Sequence, residues 1–229
     1  MMMYMLMVML PALVLSGLAA FYVKMTFSQY ANVPAASGLS GAEAAEMMLR
    51  RSNVAGVTIE ETQGFLSDHY DPTTKTLRLS PDVYRGRSLS AIGVACHEAG
   101  HALQHAQAYG FLGLRSAMVP VTSFCSYGSY ILITIGMFIS PGLALIGVIM
   151  FAAVVAFSFV TLPVEWDASR RAKECMVAQH MVGRDEANGV GSVLNAAFLT
   201  YVASAVTALL TLLYYLWVLG LIGGGRRDD

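Results

Sequence analysis

Between Ser116 and Val164 the chain has no aspartate, glutamate, lysine or arginine, and the same holds from Ala187 to Gly225 and over residues 1–23. A helix needs about 20 apolar residues to cross a hydrocarbon layer about 30 Å thick. The three tracts therefore have room for one crossing near the N-terminus, two in the middle and one near the C-terminus. A 56% share of hydrophobic residues against 13% charged ones points the same way, because a soluble enzyme carries about twice that charge. The tract at the N-terminus lacks the basic start of a cleaved leader and exceeds the usual apolar length of one, so it is expected to stay as a transmembrane helix.

The chemistry gathers in Ala95-Cys96-His97-Glu98-Ala99-Gly100-His101-Ala102-Leu103-Gln104-His105. Ser88 is a suitable N-cap for a helix through this run, and Gly110 a suitable end. On a helix His97 and His101 share one face with their Cβ atoms about 6 Å apart, so both imidazoles reach one ion. Glu98 is turned about 100° away, near the ion but free of it. This is the His-Glu-x-x-His pattern, in which two histidines hold zinc and the glutamate acts as general base in peptide hydrolysis. The plainer alternative is a helix with two polar side chains near a membrane surface. Three of the chain's five histidines fall in this short run, which favours the metal.

Such a site needs a third protein ligand. Glu165 is the first carboxylate after the long central tract, at the start of an expected helix, and is the candidate; with Asp167 it could otherwise simply complement a helix N-terminus. His105 lies about 12 Å along the axis from His97, too far to share an ion whose ligand bonds are about 2 Å, and is assigned to the rim. A metzincin places its third histidine six residues after the second, and that position is Gln107. His180 is a candidate oxyanion donor or an ordinary surface histidine.

Between Val54 and Leu79 the pattern turns to strand. Val57-Thr58-Ile59, Phe65 to Tyr70 and Thr76 to Ser80 predict a small antiparallel sheet with the second run in the middle, a turn at Asp71 to Lys75, and one edge open to an extended peptide. His69 and Tyr70 are candidates to hydrogen-bond an oxyanion or, for His69, to face the metal; a locally bonded turn is the alternative. Before the sheet, residues 25–39 read as a loop, and Ser40-Gly41-Ala42-Glu43 reads as a capping box opening a short helix that ends near Arg51. Ser123, Ser126 and Ser129 in the second span are expected to face other helices. Cys96, Cys125 and Cys175 form no paired motif and read as small buried residues, with Cys96 a secondary candidate for contact with the site. A net charge of −1 gives no basic face for nucleic acid.

Lysine and arginine number eight from Lys24 to Arg115 and four from Arg170 to Arg184, with none between Ser116 and Val164. Four spans put both basic segments on one face, which the positive-inside rule makes cytoplasmic, so both halves of the metal site meet there.

The linked runs Ser67-Asp68-His69-Tyr70-Asp71-Pro72, Leu77-Arg78-Leu79-Ser80, Val83-Tyr84, His97 to His105 and Leu162-Pro163-Val164-Glu165-Trp166-Asp167-Ala168-Ser169 resemble the YugP-like family of neutral zinc metallopeptidases, membrane proteins of bacteria. The resemblance covers nearly the whole chain. It implies zinc held by His97, His101 and Glu165, with Glu98 as base. A more distant likeness is to the HtpX and CAAX-processing membrane proteases, where an aspartate four residues after the ligand orients a zinc-bound histidine. Here that position is Ser169 and the nearest carboxylate is Asp167, which leaves open which group takes that part.

The expected molecule is mainly α: a four-span helical integral membrane protein of the bacterial inner membrane with a small cytoplasmic, zincin-like α+β catalytic part. Residues 1–23 form the first transmembrane helix, 24–115 the catalytic segment, 116–164 the second and third transmembrane helices, 165–190 a cytoplasmic helix carrying the third ligand, and 191–225 the last transmembrane helix. The expected function is a zinc metalloendopeptidase acting on peptides or membrane proteins, alone, as a homo-oligomer or with accessory membrane subunits. The alternative is a non-catalytic, zinc-stabilised adaptor or chaperone-like partner. A metal transporter is disfavoured because the spans lack acids and histidines.

Overall fold

Each apolar tract forms helix in the computed structural model, which describes residues 5–64 and 67–222. After a π-helical turn at Met5–Met9 come α1 (Leu10–Ala31), α2 (Gly41–Arg51), β1 (Thr58–Glu61), β2 (His69–Asp71), β3 (Thr76–Leu79), the single turn α3 (Pro81–Tyr84), α4 (Leu89–Ala106), α5 (Gly110–Ile139), α6 (Pro141–Ala178) and α7 (Arg184–Val218). Four of these are long and apolar enough to cross a membrane: Leu6–Ala31, Gly110–Ile139, Pro141–Ala178 and Arg184–Val218.

The helices run further than the pattern of charges suggests. α1 continues to Ala31 through residues expected to be loop; no proline falls between Lys24 and Pro34, and the Asn32 side-chain amide donates to the Ser28 carbonyl at its end. α6 passes through Pro163 without a break, so Glu165 lies well inside one long helix and not at the start of a separate one. Gly110 opens α5 instead of closing α4. The turn between them is made at Gln107 to Tyr109, with Ala108 in the left-handed region at φ 49°.

The chain divides into two compact units. One holds the chain up to Leu18, Leu114–Leu162 and the chain from Tyr201; the other holds Ala19–Gly113 and Pro163–Thr200. In the first, α5 and α6 form a hairpin whose backbones nearly touch: a Cβ on Gly147 would meet the Ile133 nitrogen at 2.7 Å, the close approach that small residues allow between packed helices. Ser129 is fully buried there, whereas Ser123 is exposed and its hydroxyl is satisfied by the Val119 carbonyl, contrary to the expectation that it faces another helix.

In the second unit the sheet is mixed. Its order is β1-β3-β2, with β1 parallel to β3 and β2 antiparallel to it. The expected antiparallel sheet with the second run in the middle is thus corrected. The tight turn at Asp71, whose carboxylate accepts from the Thr73 and Thr74 amides at 2.8 and 3.4 Å, folds β3 back beside β2. β3 then enters between β2 and β1, and the longer connection after β1 makes that second pair parallel. Of the run expected as the middle strand, residues 65 and 66 lie outside the described residues, and His69–Asp71 form an edge.

β3 is the apolar strand because it is central: Leu77 and Leu79 are fully buried, and Asp68 clamps its end by accepting from the Ser80 amide at 2.7 Å. Burial raises the Asp68 carboxyl above its ordinary value, although the Ser80 bonds pull the other way. α4 is covered on most sides by α2, β3 and residues of α6 and α7, so it is built of Ala91, Ile92, Ala95, Ala99, Ala102 and Leu103. Fully burying one such large aliphatic side chain stabilises by about 1.5–3 kcal/mol. Ser88 caps α4 through the Ala91 amide, and the Ser40–Glu43 capping box opens α2, both as the sequence predicts. Cys96 is buried in this core, which pushes its thiol well above the ordinary range.

Candidate metal centre

Helical spacing places His97 and His101 on one face of α4, their rings 4.9 Å apart and nearly perpendicular. Opposite them, α6 presents Glu165. Its Oε2 lies 3.2 Å from His97 Nε2 and 3.6 Å from His101 Nε2. These three ligand atoms all fall within 4.8 Å of one another, the one such group found among the described residues. Zinc bonds of 2.0–2.1 Å in a tetrahedron separate neighbouring ligand atoms by about 3.3–3.4 Å. The two spans from Glu165 bracket that edge, so the donor set suits zinc in chemistry and these two contacts suit it in spacing.

Two small residues let the helices come this close. Gly100 sits directly against α6, where an added Cβ would lie 2.7 Å from the Ala168 carbonyl oxygen, and Ala168 is itself fully buried. Glu165 is 1% exposed and His101 7%, while His97 and Glu98 are half-buried. A carboxylate so deeply buried is tolerable only with charged or hydrogen-bonding partners. The imidazoles provide them. Burial by itself pulls the His101 pKa down, but the hydrogen bond and charge of Glu165, helped by the charge of Glu98, raise it overall.

The outer ring nitrogens are held as well. His97 Nδ1 lies 3.1 Å from the Ser169 hydroxyl. His101 Nδ1 lies 3.0 Å from Gln104 Oε1, and the Gln104 amide nitrogen donates to the Val164 carbonyl at 2.8 Å and to Asp167 Oδ2 at 2.9 Å. Asp167 is clamped in turn by Arg170 and Arg171, and Arg171 reaches Gln107 and lies over the Tyr109 ring.

Residues 4–220 match the family model described as "putative neutral zinc metallopeptidase". The chain belongs to that family. It is 47% identical over 208 residues to "putative membrane protease YugP" of Bacillus subtilis (strain 168), covering 90% of this chain and 92% of that relative. No solved structure matches the chain.

Not every residue singled out in the sequence joins this cluster. His97, His101 and Glu165 come together, with Glu98 beside them on α4. His69 does not join them: its ring is exposed and its Nδ1 is bonded to the Ser67 carbonyl at 2.8 Å, the local arrangement expected of a turn. Tyr70 and His105 form a pair, hydroxyl to Nδ1 at 2.9 Å, one turn of α4 beyond His101. His180 is exposed just past the end of α6, in the left-handed region at φ 56°. Asp167 reaches His101 through Gln104, and Ser169 takes the position that an aspartate holds in the HtpX-like pattern. Gln104 had no signal in the sequence except its place three residues after His101.

Proposed function

We propose that the protein is a zinc-dependent membrane endopeptidase that hydrolyses peptide bonds in peptides or membrane proteins. The observation that carries this reading is the convergence of ligand atoms of His97, His101 and Glu165 within 4.8 Å of one another, with Glu98 next to His97 on α4. Zinc bound there supplies Lewis-acid activation of water and of the scissile carbonyl. His97, His101 and Glu165 would hold it. Glu98 accepts a proton at its carboxylate from the attacking water and delivers it to the departing amine. Family membership and the protease name of the Bacillus relative support the same reading.

β2 is an edge strand, paired on one side by β3 and free for an extended peptide on the other among the described residues. Tyr70, on this strand and bonded to His105, is the candidate donor to the carbonyl oxygen of the substrate. The charge pattern supports a bacterial inner-membrane location with the site toward the cytoplasm, and homo-oligomers or accessory membrane subunits remain compatible with it. A chaperone-like zinc adaptor predicts the same ligands but no use for Glu98.

Glu98→Gln distinguishes these. In detergent, it is expected to bind zinc like the parent and to lose cleavage of an unfolded protein by about 10²–10⁴-fold, the usual range for a general base. His97→Ala loses both. A glutamine variant that cleaves at the parent's rate refutes the assignment of Glu98, and a parent with no chelator-sensitive cleavage refutes the enzyme.

A further inference from the structure

His101 can offer its Nε2 lone pair to a metal only if the ring's proton is on Nδ1, and nothing in the imidazole itself enforces that choice. The surroundings do. Gln104 is fully buried, and its side chain touches three groups: His101 Nδ1 on one end, the Val164 carbonyl and the Asp167 carboxylate on the other. A carbonyl only accepts, and a carboxylate clamped between two guanidinium groups only accepts. The end of Gln104 that meets both of them must therefore be its NH₂, which satisfies both with its two hydrogens. The opposite end is then the amide oxygen, an acceptor, and the only hydrogen bond it can share with His101 Nδ1 is one in which the ring donates.

We propose that Gln104 is a positioning residue that fixes His101 in the Nδ1–H tautomer and so directs its Nε2 at the metal, with Asp167 and the Val164 carbonyl setting the amide's orientation. This deepens the metallopeptidase reading and rests on it. The link runs from Arg170 and Arg171 through Asp167 and Gln104 to His101, each step a polar contact. His97 has no such constraint, since the Ser169 hydroxyl that meets its Nδ1 can either donate or accept. The two zinc-holding histidines are thus supported unequally.

The test measures zinc affinity by competition with a chelator in the full-length, detergent-solubilised protein, together with ¹⁵N-histidine NMR of the zinc-loaded parent to read which ring nitrogen carries the proton. Gln104→Met keeps the length and burial of the side chain and removes every hydrogen bond; it is expected to weaken zinc binding about 10–100-fold, the usual effect of losing a partner of a ligating histidine. Ser169→Ala is expected to lose less. The parent spectrum should show His101 protonated at Nδ1. Parent-like zinc affinity in a folded Gln104→Met overturns the inference, and so does a His101 bound through Nδ1, which is read without any variant. A parent that takes up no zinc overturns the metal site itself and this inference with it.

Discussion

Replacing Gly100 with alanine adds one methyl group at the point where α4 and α6 are closest, and its effect can be worked from the contact distances. The new Cβ would lie 2.7, 3.2 and 3.3 Å from the oxygen, carbon and Cα of Ala168, all backbone atoms that cannot turn aside, whereas ordinary contact begins at 3.4 Å. α6 must therefore retreat by about 0.7 Å at this point. Glu165 lies one turn before Ala168 on α6, and His97 and His101 flank Gly100 on α4. If the retreat passes on whole, the spans from Glu165 Oε2 to the two Nε2 atoms open from 3.2 and 3.6 Å to about 3.9 and 4.3 Å. Both then exceed the tetrahedral edge of about 3.3–3.4 Å.

Overpacking of this kind costs about 1–3 kcal/mol, of which alanine's better helix propensity offsets up to about 1 kcal/mol. Stability is thus a weak readout, and metal binding is the decisive one. Misplacing reacting groups by about 1 Å can cost about 10²-fold in rate. Gly100→Ala is therefore expected to fold with a modest loss of thermal stability, but to bind zinc more than tenfold more weakly and to lose most of its peptidase activity. Gly113→Ala is the control, because its Cβ would meet nothing within 4 Å. Zinc affinity in Gly100→Ala within twofold of the parent would show that the close helix contact does not set the site.

Three further outcomes follow from local geometry. Ser40→Ala removes the capping box of α2 and is expected to destabilise the protein by about 1 kcal/mol in denaturant unfolding, with zinc affinity unchanged. In the same box, the Ser40 amide and hydroxyl, with Arg87, hold the exposed Glu43 carboxyl below its ordinary value of 4.5. Its contribution to stability is present above that value and lost as the pH falls through the lowered one, so Glu43→Gln should flatten this part of the acid-unfolding profile; an unchanged profile counts against the box. Tyr70→Phe keeps the ring and removes the bond to His105; it is expected to lower kcat more than tenfold while leaving zinc binding intact, and equal effects on both would make the pair structural only.

The parts of this fold that were legible in the sequence are those fixed by local physics. A run without charge long enough to span lipid is expected to be helical, because no water is there to satisfy an exposed backbone, and the described residues of each tract are mostly helix. His97 and His101 share a face because the helix repeat is local, and the Ser40–Glu43 and Ser88 caps are decided within four residues. What was not legible depends on neighbours distant in sequence. Whether β1 runs with or against β3 is settled by the order in which three strands fit together, and the β-branched residues of Val57-Thr58-Ile59 are the same either way. Pro163 reads as a place for a helix to stop, yet α6 runs through it from Pro141 to Ala178.

Glu165 was legible for a different reason, and the same reason explains why Gln104 was not. A carboxylate at the end of a charge-free tract must find a partner if it is buried, so its position made it the candidate ligand, with a helix N-terminus as its other possible partner. A glutamine three residues after a histidine carries no such penalty until it is buried, and burial is a tertiary fact. Once α4 and α6 are in contact, His101, Gln104, Glu165, Asp167 and Ser169 are all buried polar residues within one small region, and an amide there has no water to bond. It must match donors to acceptors on both ends, and that obligation turns an ordinary helix residue into the group that decides which nitrogen of His101 meets the metal.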